Sequence, residues 1–269
     1  MYTERTAQSI GVGRGSGRTS DAVGSGHTEW MRDGLANSCP AGVEPSSALA
    51  RLLFDDLPVG VAWTGGAQEP SVPLVTPDEV EAISHAVERR RRSFLNGRAT
   101  LRVAAAELGI TLASVGRADD RAPVFPSGVA GSLSHTDGMV IGAAHSSDAP
   151  WRVGVDVERT DRDLSGVVDR VLMPDERAAV ERGDAPMSEI AVFSAKEALY
   201  KAQHQWSASW LGFEDVVARP DGRDIEFTPR TSVARDLPVT WPVRARTTIV
   251  AVESGHCVVT AVVVRPAQA

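Results

Sequence analysis

Cysteine is scarce in this chain. Cys39 and Cys257 are the two among 269 residues, far apart and in no metal-ligand spacing. That argues against a disulfide scaffold and a structural zinc site, and fits a reducing cytoplasm. Long apolar runs are missing too. No stretch approaches the ~18–20 residues that a membrane span requires. Positive charge is not in excess: 28 Lys and Arg stand against 35 Asp and Glu, a net charge of −7. The protein as a whole is therefore no nucleic-acid-binding surface, although an acidic macromolecular partner would need a local basic patch. What is present is ordinary for a globular chain, with 42% hydrophobic and 23% charged residues, and a length that suits one large domain or two small ones.

The first 45 residues differ from the rest. They hold eight of the 24 glycines, many Ser, Thr and Arg, and few large aliphatics. Such a stretch buries too little apolar surface to offset the entropy of ordering it, so a disordered extension is expected over 1–45. Beyond it, helical and strand patterns alternate. Thr76-Pro77-Asp78-Glu79 carries an N-cap, a first-turn proline and a capping-box acid. Val80, Ile83 and Val87 follow at helical spacing, then Phe94, Leu101, Ala105 and Leu108, with Gly109 as a stop and Asn96-Gly97 as an expected interruption. Strands are predicted over Val129–His135, Met139–His145 and Trp151–Glu158, helices over Pro174–Glu181 and Ser188–Ala202, and a terminal hairpin turning at Ser254-Gly255. Thr64–Pro73, Arg219–Arg223 and Pro229–Pro242 read as loops. The grouping of strands predicts an α+β fold.

Three segments can carry chemistry. In Val153-Gly154-Val155-Asp156-Val157-Glu158, alternation puts the valines on one strand face and both acids on the other. The two Cα atoms then lie about 6.5–7 Å apart, so the carboxylates can converge on one hard cation such as Mg²⁺ or Mn²⁺; the bland alternative is a solvated outer face. In the helix with Phe193, Glu197 and Lys201 at i, i+4 and i+8, Glu197 can be a metal ligand or general base and Lys201 a phosphate partner, or the two can form an exposed pair worth ~0.3–0.5 kcal/mol. In Gly131-Ser132-Leu133-Ser134-His135, a hydroxyl and an imidazole reach a sheet edge and can donate to phosphate. As adjacent strand residues, Ser134 and His135 point to opposite faces and are poorly placed to share a proton as a hydrolase dyad. Arg89 to Arg92, Arg98 and Arg102, then Arg117 and Arg121, are either solvated charges or forks for several phosphates.

Taken in order, Gly131-Ser-Leu-Ser-His135, Gly154-Val-Asp-Val-Glu158 and Phe193-Ser-Ala-Lys-Glu-Ala-Leu-Tyr-Lys201 resemble the 4′-phosphopantetheinyl transferase superfamily. Arg90-x-x-x-Phe94-x-x-x-Arg98, Arg121-Ala-Pro-x-Phe-Pro126 and Trp210-Leu-Gly-Phe-Glu-Asp215 look like the branch of the enterobactin-synthetase type and its actinobacterial relatives. The resemblance covers about residues 49–218. It departs at Gln203–Ser209, which lacks the proline that relatives often carry there.

The resemblance implies two similar lobes related by a pseudo-twofold, about 46–150 and 151–269, with coenzyme A in the cleft between them. It implies transfer of the phosphopantetheine arm from coenzyme A to a serine of an apo acyl or peptidyl carrier protein, with release of 3′,5′-ADP. Asp156, Glu158 and Glu197 match the metal ligands. Arg90, Arg98, Arg117, Arg121, Ser134, His135, Asp156, Lys196, Glu197 and Lys201 match or adjoin coenzyme A contacts, with Glu197 and Lys201 catalytic. A cytoplasmic monomer serving siderophore, polyketide or nonribosomal peptide synthesis is expected, with no nucleic-acid partner. Two other classes use the same residues: a Mg²⁺-dependent phosphodiesterase acting on coenzyme A or nucleotides, and a non-catalytic coenzyme A-binding module.

Overall fold

The computed structural model describes residues 43–65 and 74–267. In chain order the first half runs β1 (Glu44–Pro45), α1 (Ser47–Phe54), β2 (Gly60–Thr64), α2 (Pro77–Glu81), α3 (Glu88–Ala106), β3 (Gly116–Arg117), β4 (Pro123–Val124), β5 (Val129–Thr136) and β6 (Met139–Ser146). The second runs β7 (Arg152–Arg159), α4 (Val168–Val171), α5 (Pro174–Arg182), α6 (Glu189–Ser207), β8 (Val216–Asp221), β9 (Asp224–Pro229), α7 (Ser232–Arg235), β10 (Val243–Val252) and β11 (Gly255–Val264). Two antiparallel sheets result, ordered β1-β2-β6-β5 and β7-β11-β10-β9-β8, with β3 and β4 as a separate ribbon. The mixed helix and sheet architecture is the expected α+β class.

Most of the expected extension, 1–42, lies outside the described residues, but its last two residues are strand. Glu44 and Pro45 pair with Trp63 and Ala62 at the edge of the first sheet. The loop expected over Thr64–Pro73 also lies largely outside the described residues. The Thr76 capping box forms as read, with Glu79 Oε2 accepting from the Thr76 amide at 2.9 Å. The helix it starts stops after five residues, and the break falls before α3 rather than at Asn96-Gly97. α3 runs straight through Gly97, because a Cβ there would sit 2.6 Å from a methyl of Leu133. The glycine serves close packing on β5, not a break. Arg219–Arg223, expected as loop, is the turn and flank of the β8–β9 hairpin. Pro220 is accommodated because β8 is the sheet edge.

Each sheet receives one 19-residue helix, α3 or α6, and in each case a glycine lets it approach. A Cβ on Gly60 would stand 1.8 Å from the Ala104 carbonyl, and one on Gly154 would stand 1.9 Å from the Ala198 carbonyl. Between the sheets lies a shared core in which Val153, Val155 and Val157 of β7 meet Val61, Met139 and Ile141 of the first sheet. The valine face of β7 is thus buried, as alternation predicts. The acid face is buried as well, since α6 covers it; Asp156 is only 3% exposed. The solvated-strand alternative is set aside. The inter-sheet core also holds His145, fully buried against the Trp151 ring at 4.5 Å and bonded through Nδ1 to the Ser146 carbonyl. Burial, the first cause, drives its pKa down to about 4.

Two outcomes test this packing. Gly154→Ala should cost at least about 2 kcal/mol, because the obstructing atoms are helix backbone and cannot rotate away; an unchanged denaturant midpoint would contradict the helix-on-strand contact. His145 is neutral in the fold and titrates near its ordinary value when unfolded. The unfolded state therefore binds more protons between those pKa values, and stability present above pH 6.5 falls as the solution is acidified toward pH 4. About 2 kcal/mol should be lost between pH 7.5 and 5 from this group, and His145→Gln should flatten that part of the pH–stability curve.

Candidate active site

The site forms where β5, β7 and α6 meet. β5 and β7 belong to different sheets and share no ladder; serine hydroxyls join them. Ser132 Oγ accepts the Val155 amide at 3.0 Å, and Ser134 Oγ donates to Asp156 Oδ1 at 2.8 Å. Lys201, from α6, places Nζ 2.6 Å from the same Oδ1, 2.9 Å from Ser134 Oγ and 3.2 Å from the Val155 carbonyl. The helix reaches this spot because Ser188 caps its first turn, accepting the Ala191 amide at 3.1 Å. Ser134 therefore faces the carboxylates. His135, one residue on, faces the other way and shares a cleft of about 540 Å³ with Arg89, Arg90 and Arg92 of α3. The opposite-face reading of Ser134 and His135 is what the structure shows, and it provides no hydrolase dyad.

Three acids crowd the junction. Burial, then the Asp156 charge, push Glu158 up to about 7, against the pull of Arg162, whose guanidinium pairs with it. Burial also raises Glu197, with Lys201 opposing and Asp156 reinforcing. Partial desolvation, then the Lys201 charge, lower His135 although its edge opens to solvent. Asp156 Oδ2 is buried with no hydrogen-bond partner. Among the described residues, no group of three or more His, Cys, Asp or Glu is arranged to enclose a metal.

Two residues expected at coenzyme A are buried and bonded within the fold. Lys196 Nζ, 1% exposed, gives its protons to the Val171 carbonyl at 2.8 Å, Glu176 Oε2 at 2.7 Å and the Phe213 carbonyl at 2.9 Å. Its three donors are spent inside the fold. Arg98, 3% exposed, holds the Val115 and Gly116 carbonyls at 3.0 and 2.7 Å and stacks on Phe94. It shapes the chain leading into β3 instead of opening to the cleft. Arg117 and Arg121 are exposed on and after β3, and Arg121 adopts φ of 74°. Their loop lies against α6, where His204 Nε2 stands 3.6 Å from Asp120. A separate groove of about 580 Å³, between the end of α1 and β10–β11, touches none of the expected site residues.

Sequence reading missed Arg162, which reaches Glu158 only because a turn follows β7. It also missed Tyr200 and Trp210, whose rings meet at 5.3 Å beside Lys201, with Trp210 58% exposed. One signal was present: Lys196 and Lys201 are the chain's two lysines, which marks this helix among 28 basic residues.

An arginine-lined cleft on one side of β5 and crowded carboxylates on the other suit a group-transfer site for a phosphate-bearing substrate. The family comparison makes the class specific. Residues 78–145 match the 4′-phosphopantetheinyl transferase N-terminal domain, and residues 152–244 match the 4′-phosphopantetheinyl transferase superfamily. The chain is 37% identical over 161 residues to the 4′-phosphopantetheinyl transferase Npt of Nocardia iowensis, covering 60% of this chain and 72% of that protein. It is 34% identical over 174 residues to PptT of Mycobacterium tuberculosis, covering 64% and 74%. Enterobactin synthase component D of Salmonella typhi is 29% identical over 45% of this chain and 52% of its own. The chain belongs to the 4′-phosphopantetheinyl transferase superfamily.

The placement of Lys196 has a direct check. Lys196→Met strands Glu176 without its cation and should cost about 3 kcal/mol of stability. Coenzyme A affinity of the folded variant should stay within about threefold of wild type. Calorimetric titration after a melting scan separates the two effects. A large affinity loss at unchanged stability would return Lys196 to the substrate site.

Proposed function

We propose that this enzyme moves the 4′-phosphopantetheine arm of coenzyme A to a serine hydroxyl of an apo acyl or peptidyl carrier protein, releasing 3′,5′-ADP. The observation that carries the reading is the convergence of Asp156, Glu158, Glu197 and Lys201 at the junction of β5, β7 and α6, with His135 and Arg90 in the cleft on the other face of β5. We read residues 46–150 and 151–269 as two lobes related by a pseudo-twofold; a sheet carrying a 19-residue helix seated on a strand glycine occurs in each. A cytoplasmic monomer is the form we assign. No helix among the described residues is long and apolar enough to cross a membrane.

The arginines and His135 bind and orient the nucleotide phosphates, which suits forks and imidazole donors along one wall. Lys201 holds Asp156 before substrate arrives and is the ammonium nearest the carboxylates, placed to offset charge growing on the pyrophosphate as its bond breaks. Glu197 takes the proton of the carrier serine. Burial raises its pKa and so makes it a stronger base than an exposed carboxylate.

The donor set fits a divalent cation. Oxygen ligands of Asp156, Glu158 and Glu197 suit Mg²⁺ or Mn²⁺, and the unpartnered Asp156 Oδ2 is a vacant hard donor. When bound there, the ion supplies Lewis-acid polarisation of the pyrophosphate and screens it from the acids.

The test is the intact mass of an apo carrier protein incubated with the enzyme, coenzyme A and Mg²⁺. The carrier should gain one phosphopantetheine arm, with 3′,5′-ADP in equal amount. Coenzyme A breakdown without carrier modification would point to a phosphodiesterase instead, and binding without either product to a non-catalytic module. Glu197→Gln should cut turnover by ~10²-fold or more with a small change in coenzyme A affinity. Lys201→Met should weaken both. Equal, small effects from the two would remove the base from this mechanism.

A further inference from the structure

Both strand acids at the junction already carry a side-chain cation. Asp156 holds Lys201 at 2.6 Å, and Glu158 holds the guanidinium of Arg162. Lys201 has a role in the proposed reaction. Arg162 has none, yet its position is specified on three sides. The chain turns directly after β7, with the Arg162 amide bonded to the Arg159 carbonyl at 3.2 Å, so the side chain doubles back over Glu158. The turn is pinned by a two-point fork from Arg159 to Asp161, both contacts at 2.7 Å. The guanidinium then lies over the Phe193 ring, 4.6 Å from its centroid. Phe193 is one helical turn before Glu197, so Arg162 stands between the acid of β7 and the acid of α6. The field of its charge reaches both.

An arginine fixed in this way occupies the electrostatic role that a divalent ion would fill. It neutralises Glu158, takes one of its lone-pair directions, and adds positive charge where a second cation must approach. Its side chain is 42% exposed against 11% for Glu158, so it can swing out to water while the acid stays in place. Desolvated Lys196 shows the contrast, since it has no route outward.

We propose that Arg162 is a positioning residue that stands in for the divalent cation at Glu158, so that the ion must displace its guanidinium in order to bind. The inference rests on the carboxylate site of the proposed function. Metal affinity of the free enzyme is then set by competition with an internal cation and is weaker than the three acids alone would give.

The experiment measures Mn²⁺ binding to the full chain without nucleotide at pH 8, from the electron paramagnetic resonance signal of free Mn²⁺. Arg162→Gln should lower the Kd by about tenfold, which is ~1.4 kcal/mol. Arg162→Lys keeps the charge but loses the stacked plane on Phe193, so its Kd should fall less than that of Arg162→Gln. Because Arg162 is half in solvent, both variants should melt within a few degrees of wild type. An unchanged or raised Kd for Arg162→Gln, or a Kd for Arg162→Lys that falls as far as that of Arg162→Gln, would overturn the competition. Asp156→Asn distinguishes the two levels: if it weakens Mn²⁺ binding while Arg162→Gln changes nothing, only the role of Arg162 is wrong. If Asp156→Asn leaves the Kd untouched, the carboxylate site itself falls, and the inference with it.

Discussion

The ion pair of Lys201 with Asp156 is the contact on which the rest of the site depends. Asp156 sits on the first strand of the second sheet, Ser134 on the last strand of the first sheet, and Lys201 on the helix that covers them. One carboxylate oxygen therefore ties three elements from both halves of the chain. A buried pair of this kind contributes little net stability, because desolvating two charges offsets most of their attraction. What it fixes is position. Without it, β5 and β7 would still be joined by the Ser132 and Ser134 hydroxyls, but no cation would hold the Asp156 oxygen that Ser134 meets. Its other oxygen stays unpaired in the interior, a cost the fold bears at the place where chemistry is proposed.

The two lysines of α6 show how a five-residue step separates structure from chemistry. Five residues turn a helix by about 500°, so Lys196 and Lys201 point roughly 140° apart. Glu197 and Lys201, four apart, share a face. Lys196 accordingly enters the core beneath α5, where Glu176 also caps the Met173 amide and accepts the Ala218 amide. That carboxylate is fully buried, and three groups converge on it. The lysine closes a network linking α5, α6 and β8, and its place in the motif says nothing about which way the amine goes.

Much of the site was legible because it follows from periodicity. The valine and acid faces of β7, the Ser134–His135 split and the shared face of Glu197 and Lys201 all come from counting by two or by four. The elements flanking them were found for the same reason: β5, β6, β7 and α6 carry strong patterns and clear turn signals. What escaped was set by contacts distant in sequence. Gly97 looked like a breaker, yet tertiary packing against Leu133 overrides its weak helix propensity. α1, β2 and the β8–β9 hairpin have patterns too short or too interrupted to register. Burial of the β7 acids was invisible because their cover comes from a helix some 40 residues on in the sequence, and only the assembled fold brings it across.

Arginine count was the least informative signal, and the reason is physical. The fold consumes cations before it presents any. Arg98 and Arg102 satisfy loop carbonyls that would otherwise be buried without donors, and Arg102 also pairs with the buried Glu79. Arg246 bridges Asp224 and Asp55, tying β9 to the end of α1. Arg89 and Arg90 instead line the open cleft and are exposed there, although Arg89 gives one donor to Asp137 at 2.8 Å. A guanidinium has five donors in a fixed plane, and a buried one is retained where several carbonyls need them at once. A basic residue in a family motif thus falls into one of two populations, and burial decides which. Arg162 belongs to neither, because its partners are an acid of the site and an aromatic face, and its exposure leaves it free to exchange them.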